Sequence, residues 1–280
     1  MPNSPEFVFP DWPAPVTIKA LTTTRVGGFS QGPYASLNLG DHVGDAADDV
    51  RRNRARLREA LALPSEPVWL KQVHGVNVVD AASVNAGATA DGAWTGRPGV
   101  VCAMLTADCL PVFLCNRQGT KVALLHAGWR GLTAGVIEAG LRALATPGAE
   151  LLAWLGPAIG PDSYEVGDDV RDASLAQDAG AAVCFHEQSA GRWFANLYAL
   201  ARRRLQVQGV NAIYGGNFCT LRERERFYSF RRAGTRQCRE RHDSRDGGGR
   251  ATQGAVAEDA ESDRRADVTG RMASLIWLVR

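Results

Sequence analysis

Three residues carry the chemistry this sequence can offer: His74, Cys109 and His126. Two imidazoles and a thiolate make a set of three metal donors. That count suits catalytic zinc, which takes three protein ligands and keeps one position for water. Each donor stands beside an apolar run of strand length. His74 lies in Lys71-Gln72-Val73-His74-Gly75, between strand-like runs at 68–70 and 76–79. Cys109 sits between the runs at 100–105 and 111–115, and His126 closes the run at 122–125. Polar residues at the ends of strands converge when the strands pair. Spacing alone leaves a second reading open for each residue. Free cysteine is among the most buried residue types, and either histidine can be a hydrogen-bonded structural residue.

The neighbours of this trio suggest further roles. Asp108 is the carboxylate nearest to Cys109 and is the candidate acid or base; its other reading is a strand-end aspartate that accepts from backbone amides. Gly128-Trp129-Arg130-Gly131 opens an apolar-periodic helix through Leu132, Val136, Ile137, Leu141 and Leu144. Free backbone N–H groups at a helix start favour anions, and Arg130 can add a bidentate contact. Trp129 can stack on a base or belong to the core. Arg25 and Arg231 are further substrate-binding candidates. So is Asn38, in a glycine- and asparagine-bearing loop that lets backbone approach a ligand, or that simply connects two strands. Asp91, in Ala90-Asp91-Gly92-Ala93-Trp94, can orient a ligating imidazole or act as a turn residue. A metal-free alternative makes Cys109 a nucleophile with His126 as its base. A binding module without turnover is a third reading.

A family resemblance adds weight to the metal reading. Q-V-H-G, A-D-G-A-W, T-A-D-C-L-P, H-A-G-W-R-G and L-G-P-A-I-G-P-D-S-Y-E-V-G follow one another in this order. T-T-R-V-G-G-F-S, Y-A-S-L-N-L-G-D-H-V-G-D and the terminal T-G-R-M-A-S-L-I-W-L flank them. Together they resemble the bacterial family known both as polyphenol oxidase and as purine nucleoside phosphorylase. The resemblance implies one zinc ion per chain at His74, Cys109 and His126. It also implies activity on purine nucleosides: phosphorolysis of adenosine, inosine, guanosine and methylthioadenosine, and deamination of adenosine. Some members are described instead as peptidoglycan-editing factors that act on a cytoplasmic precursor, and this is a second implied function. The oxidase label fits the composition poorly. Multicopper oxidation needs many imidazoles, whereas the chain has five histidines and no His-x-His pair. A single copper at the same three ligands remains chemically acceptable.

These residues must be positioned by a fold. The resemblance implies a single α/β (α+β) domain over 1–280, with mixed β-sheets flanked by helices and a cysteine-hydrolase-like zinc site at strand ends. The length of 280 residues, 45 % hydrophobic and 22 % charged, fits a globular domain of that size. A net charge of +2 gives no electrostatic case for nucleic acid or an anionic membrane. The arginines of the first helix, expected over 45–63, read as a solvated face. No signal peptide or membrane span is visible, and the six cysteines lack the dense spacing of a secreted scaffold. The expectation is a cytoplasmic protein, monomeric or weakly self-associating, whose partners are nucleosides and phosphate. Further strands are expected at 16–24, 151–155, 211–214, 227–232 and 273–279. Helices are expected at 166–182 and 193–207. The block 233–267 has almost no large apolar residues and reads as a disordered or protruding insertion.

Overall fold

Strands 100–105, 111–115 and 122–125 are nearly continuous apolar runs, which is what a strand buried on both faces requires. The computed structural model, which describes residues 3–234 and 268–279, bears this out. Its strands are β1 (Phe7–Val8), β2 (Ile18–Thr23), β3 (Val78–Asp80), β4 (Gly92–Thr95), β5 (Val101–Thr106), β6 (Leu110–Asn116) and β7 (Val122–Ala127). They continue with β8 (Leu151–Leu155), β9 (Glu165–Gly167), β10 (Phe185–Ser189), β11 (Arg192–Ala195), β12 (Ala212–Gly215) and β13 (Met272–Leu278). The helices are α1 (Ala47–Leu61), α2 (Trp129–Ala134), α3 (Val136–Leu144), α4 (Asp168–Gln177) and α5 (Leu197–Val207).

A mixed six-stranded sheet has the order β12-β8-β6-β7-β4-β3, and an antiparallel four-stranded sheet has the order β1-β2-β13-β5. A small third sheet, β10-β11-β9, stands apart. Alternation along β6 and β7 divides their side chains between two cores. Leu110, Val112, Leu114, Ala123 and Leu125 face the helices, packing with Leu132, Val136, Ile137, Leu141 and Leu205. Phe113, Cys115, Val122 and Leu124 face the four-stranded sheet, meeting Cys102, Met104, Met272 and Ile276. The far side of that sheet is covered through Leu57 of α1, which packs with Leu21, Val101 and Leu275. The domain is therefore a mixed α+β fold in four layers: helices, sheet, sheet, helix.

Several expectations need correction. The helix expected at 193–207 begins at Leu197, and Trp193 and Phe194 belong to β11 instead. Asn196 is the reason: its side chain accepts from the Ala199 amide and caps the helix. The helix after Gly128 is two helices, broken at Gly135, whose φ of 100° is open to glycine at low cost. The aromatic run 227–232 is not a strand. Phe227 and Tyr228 are fully buried in irregular chain, and residues 230–234 are helical. Ser229 accepts from the Arg232 amide at that start. Most of the insertion expected at 233–267 lies outside the described residues.

Candidate functional site

Strand register brings the donors together. His126 pairs with Pro111 across β6 and β7, two residues from Cys109. Cys109 occupies the tight connection between β5 and β6, where Asp108 adopts φ 96°. His74 arrives on the loop before β3, itself at φ 60°. Gln72 clasps that loop to the end of β5 by donating to the Leu105 carbonyl at 2.9 Å and accepting from its amide at 2.8 Å.

The ligand atoms of His74, Cys109 and His126 all lie within 4.8 Å of one another. His74 Nε2 is 3.7 Å from Cys109 Sγ, and the two imidazole centroids are 4.7 Å apart. A tetrahedral ion with bonds of about 2.0–2.3 Å spans donor separations of roughly 3.3–3.7 Å. The donor set therefore fits zinc or copper with little closure. His126 is buried, Cys109 half-buried and His74 exposed, so the trio opens towards solvent on one side. Close approach is possible because residue 128 is glycine: a Cβ there would stand 2.9 Å from Cys109 Sγ and 3.0 Å from His74 Cδ2.

Electrostatics prepare the donors. Burial alone would raise the Cys109 thiol, but the His126 charge and hydrogen bonds from both histidines outweigh it and bring it down to about 6. Burial opposes the charged form of His126, yet the thiolate and a hydrogen bond to Asp91 push it up. Each charge favours the other, lowering the thiol and raising the imidazole. Asp91 is fully buried, 2.8 Å from His126 Nδ1, and leaves Nε2 for the ion. Burial raises its carboxyl, but His126 and the amides around it hold it below the usual range.

The other candidates fall in different places. Asp108 spends its carboxylate on structure: Oδ1 accepts from Thr220 Oγ1, and Oδ2 accepts from Ser229 Oγ at 2.9 Å and the Arg231 amide at 2.7 Å. These bonds match its second reading, a strand-end aspartate that accepts from backbone and hydroxyl groups, and they fix segment 220–231 against Cys109. Arg231 stays near the site; its guanidinium donates to the Glu165 carbonyl at 2.8 Å and lies 5.3 Å from the Tyr164 ring centroid. Arg130 is exposed at the start of α2 and lies over Trp129 at 4.5 Å. That helix is only six residues long, so its dipole is short.

Arg25 and Asn38 bond chiefly to backbone carbonyls and amides of neighbouring loops. Arg25 donates twice to the Ala35 carbonyl and once to the Arg224 carbonyl. It lines a separate cleft of about 900 Å³ with Arg52, Arg224 and Arg232. Asn38 is fully buried; it donates to the Gly40 carbonyl and to Asp45 and accepts from the Gly40 and Arg271 amides. A second cleft of about 940 Å³, lined by Trp12 and Trp277 among others, also excludes the trio. The chemistry, not cavity size, marks the site.

Sequence reasoning passed over two residues here. Tyr164 is half-buried, and burial together with the Cys109 charge pushes its phenol up, so it stays protonated as a donor. Gln72 shapes the His74 loop. Both lie inside motifs already singled out, and neither has a reactive side chain to draw notice.

Comparison with known proteins places this geometry. The family described as multi-copper polyphenol oxidoreductase laccase matches residues 19–240. A purine nucleoside phosphorylase of Pseudomonas aeruginosa is 47 % identical over 270 residues, covering 96 % of this chain and 97 % of the relative. Purine nucleoside phosphorylase YfiH of Escherichia coli is 46 % identical over 275 residues, covering 98 % and 99 %. Among solved structures, Neisseria meningitidis protein NMB0706 superposes with a TM-score of 0.83 at 43 % identity, covering 98 % and 99 %. YlmD from Geobacillus stearothermophilus gives 0.77 at 31 %, covering 95 % and 93 %.

Proposed function

Because the chain belongs to the multi-copper polyphenol oxidoreductase laccase family and its relatives bear the name purine nucleoside phosphorylase, we propose that it is a zinc-dependent enzyme of purine nucleosides. The reading covers phosphorolysis of adenosine, inosine, guanosine and methylthioadenosine, and deamination of adenosine. The observation that carries it is the three-donor group His74, Cys109 and His126 with one open side. When bound there, zinc supplies Lewis acidity and lowers the pKa of a coordinated water. His74, Cys109 and His126 would hold the ion, and the exposed side at His74 would leave room for a substrate. Tyr164, whose phenol burial and the Cys109 charge keep protonated, offers a hydroxyl donor, and Arg231 and Arg130 offer positive charge for a phosphate. Asp108 and Asp91, the two carboxylates beside the ligands in sequence and in contact, both accept several hydrogen bonds, so either would have to exchange one of them to move a proton. Copper at the same donors is an alternative occupant.

The test is product analysis of zinc-loaded protein with adenosine, with and without phosphate. Inosine formed without phosphate marks deamination. Adenine formed only with phosphate marks phosphorolysis. Neither product, from folded zinc-loaded protein, turns the assignment towards the peptidoglycan-precursor reading.

A second reading has its own observation. Cys109, His126 and Asp91 stand in the order of a nucleophile, base and orienting carboxylate, with the His126–Asp91 contact at 2.8 Å. This cysteine hydrolase would survive chelation and die with alkylation. The zinc enzyme would lose activity under a chelator and regain it with metal.

A further inference from the structure

Asp91 does more than orient one imidazole. Its Oδ1 accepts from His126 Nδ1 at 2.8 Å and also from the His74 backbone amide at 2.8 Å. Its Oδ2 accepts from the Gly75 amide at 2.7 Å and the Val73 amide at 3.2 Å. A carboxylate has about four lone-pair positions, so this one is saturated. Three successive amides turned to one anion form a nest, and a residue of left-handed conformation makes such a concavity. His74, at φ 60°, is that residue. The backbone reinforces the link: the His126 amide donates to the Asp91 carbonyl at 2.7 Å, and the Asp91 amide to the Asn77 carbonyl at 2.9 Å.

We propose that Asp91 is a positioning residue that holds both histidine ligands at once, His126 through its ring and His74 through its backbone, and so presets the metal site before the ion arrives. This rests on the zinc reading of the trio. A buried carboxylate with these partners has no water to fall back on, so displacing it must move both ligands together. A neutral amide in its place can present only one acceptor oxygen, and its NH2 faces donors. With the oxygen kept on His126 and His74, the NH2 meets the Gly75 and Val73 amides donor to donor; with the amide turned over, it meets the His126 ring and the His74 amide instead.

The experiment measures zinc affinity by competition with a chromophoric chelator, for wild type, Asp91→Asn, His126→Ala and the double variant. Wild type binding one zinc confirms the premise; wild type binding none overturns both that reading and this proposal. Asp91→Asn is expected to weaken zinc about 10–100-fold, the usual cost of losing an outer partner. The double variant decides whether both histidines are held. If Asp91 also serves His74, Asp91→Asn weakens the residual binding of His126→Ala several-fold. If it serves His126 alone, the substitution changes nothing in that background, and the proposal fails. Gln72→Ala, which loosens the same loop without touching Asp91, is expected to weaken zinc less than Asp91→Asn; an equal loss would reduce Asp91 to general loop order and overturn its special role. Should Asp91→Asn fail to fold, hydrogen exchange on metal-free wild type keeps the question open to refutation. The amides of residues 73, 74 and 75 must already be protected without zinc; rapid exchange there would refute a preset site.

Discussion

Two polar regions of this molecule look alike in sequence and differ in use. The segment from Arg25 to Asp45 and the segments around His74, Cys109 and His126 both combine glycine, charge and amide-bearing residues. In the first, the donors are answered internally. The Gly27 and Gly28 amides donate to Ser36 Oγ, the Phe29 amide donates to Asn53, and Asp45 accepts from Ser30 and Asn38. In the second, Asp91 and Asp108 absorb the amides and hydroxyls around them, yet two imidazole nitrogens and a sulfur remain within 4.8 Å of one another. Chemical type is common to both; unspent donors converging on one side distinguish the site from the scaffold.

The comparison breaks most sharply at Cys109. Cys109→Ser is expected to lower zinc affinity more than about 10³-fold, since a direct ligand outweighs the roughly 10–100-fold of an outer partner. The variant should still fold, losing only the stability that the lowered thiol contributes. Metal titration beside chemical denaturation checks both halves. Asn38→Ala should do the reverse: a loss of roughly 2–3 kcal/mol in stability, from buried partners left unpaired, with zinc affinity intact. A change in zinc affinity there would erase the distinction between the two regions.

Titration of metal-free protein sharpens it further. As pH falls, a step in thiolate absorbance near 240 nm should be lost with a midpoint of about pH 6, and that step should be absent in Cys109→Ser. The sign follows from the shift. A thiol lowered on folding contributes full stability above its ordinary value of 9.0 and loses it as pH falls to about 6. His126, raised to about 9 from 6.5, contributes fully below 6.5 and loses it as pH rises through 9. Between about pH 6.5 and 9 the gain from one offsets the loss from the other, so the melting temperature changes little there and absorbance is the informative readout. The smallest effect is expected for Arg130→Ala. An exposed residue of this kind changes stability by less than about 0.5 kcal/mol, and the KM for phosphate should rise several-fold if it meets that anion. An unchanged KM would leave Arg130 as surface.

Much of this was legible in the residues. The apolar runs before and after Cys109 and before His126 fall on β5, β6 and β7, and the donors sit where those strands end. The uses of Asp108 and Asn38 were not legible, because their partners, such as Thr220, Ser229 and Arg271, are far away in sequence. Local pattern failed where a single polar residue overruled it. Asn196 and Ser229 each cap a helix inside an apolar run that periodicity alone extends or calls a strand. The sharing of Asp91 between two histidines needed a left-handed His74, which no spacing announces.

The trio also spans the two main sheets. His126 belongs to β7 of the six-stranded sheet, Cys109 sits in the crossing from β5 of the four-stranded sheet to β6, and Gln72 clasps the His74 loop to β5. An ion gripping all three is a cross-link between layers, closing chain loops as a disulfide would but removable by a chelator. Occupancy would then be written into the lifetime of the fold: the loaded protein melts higher by an amount set by free metal over its dissociation constant. Resistance to proteolysis becomes a gauge of the metal supply.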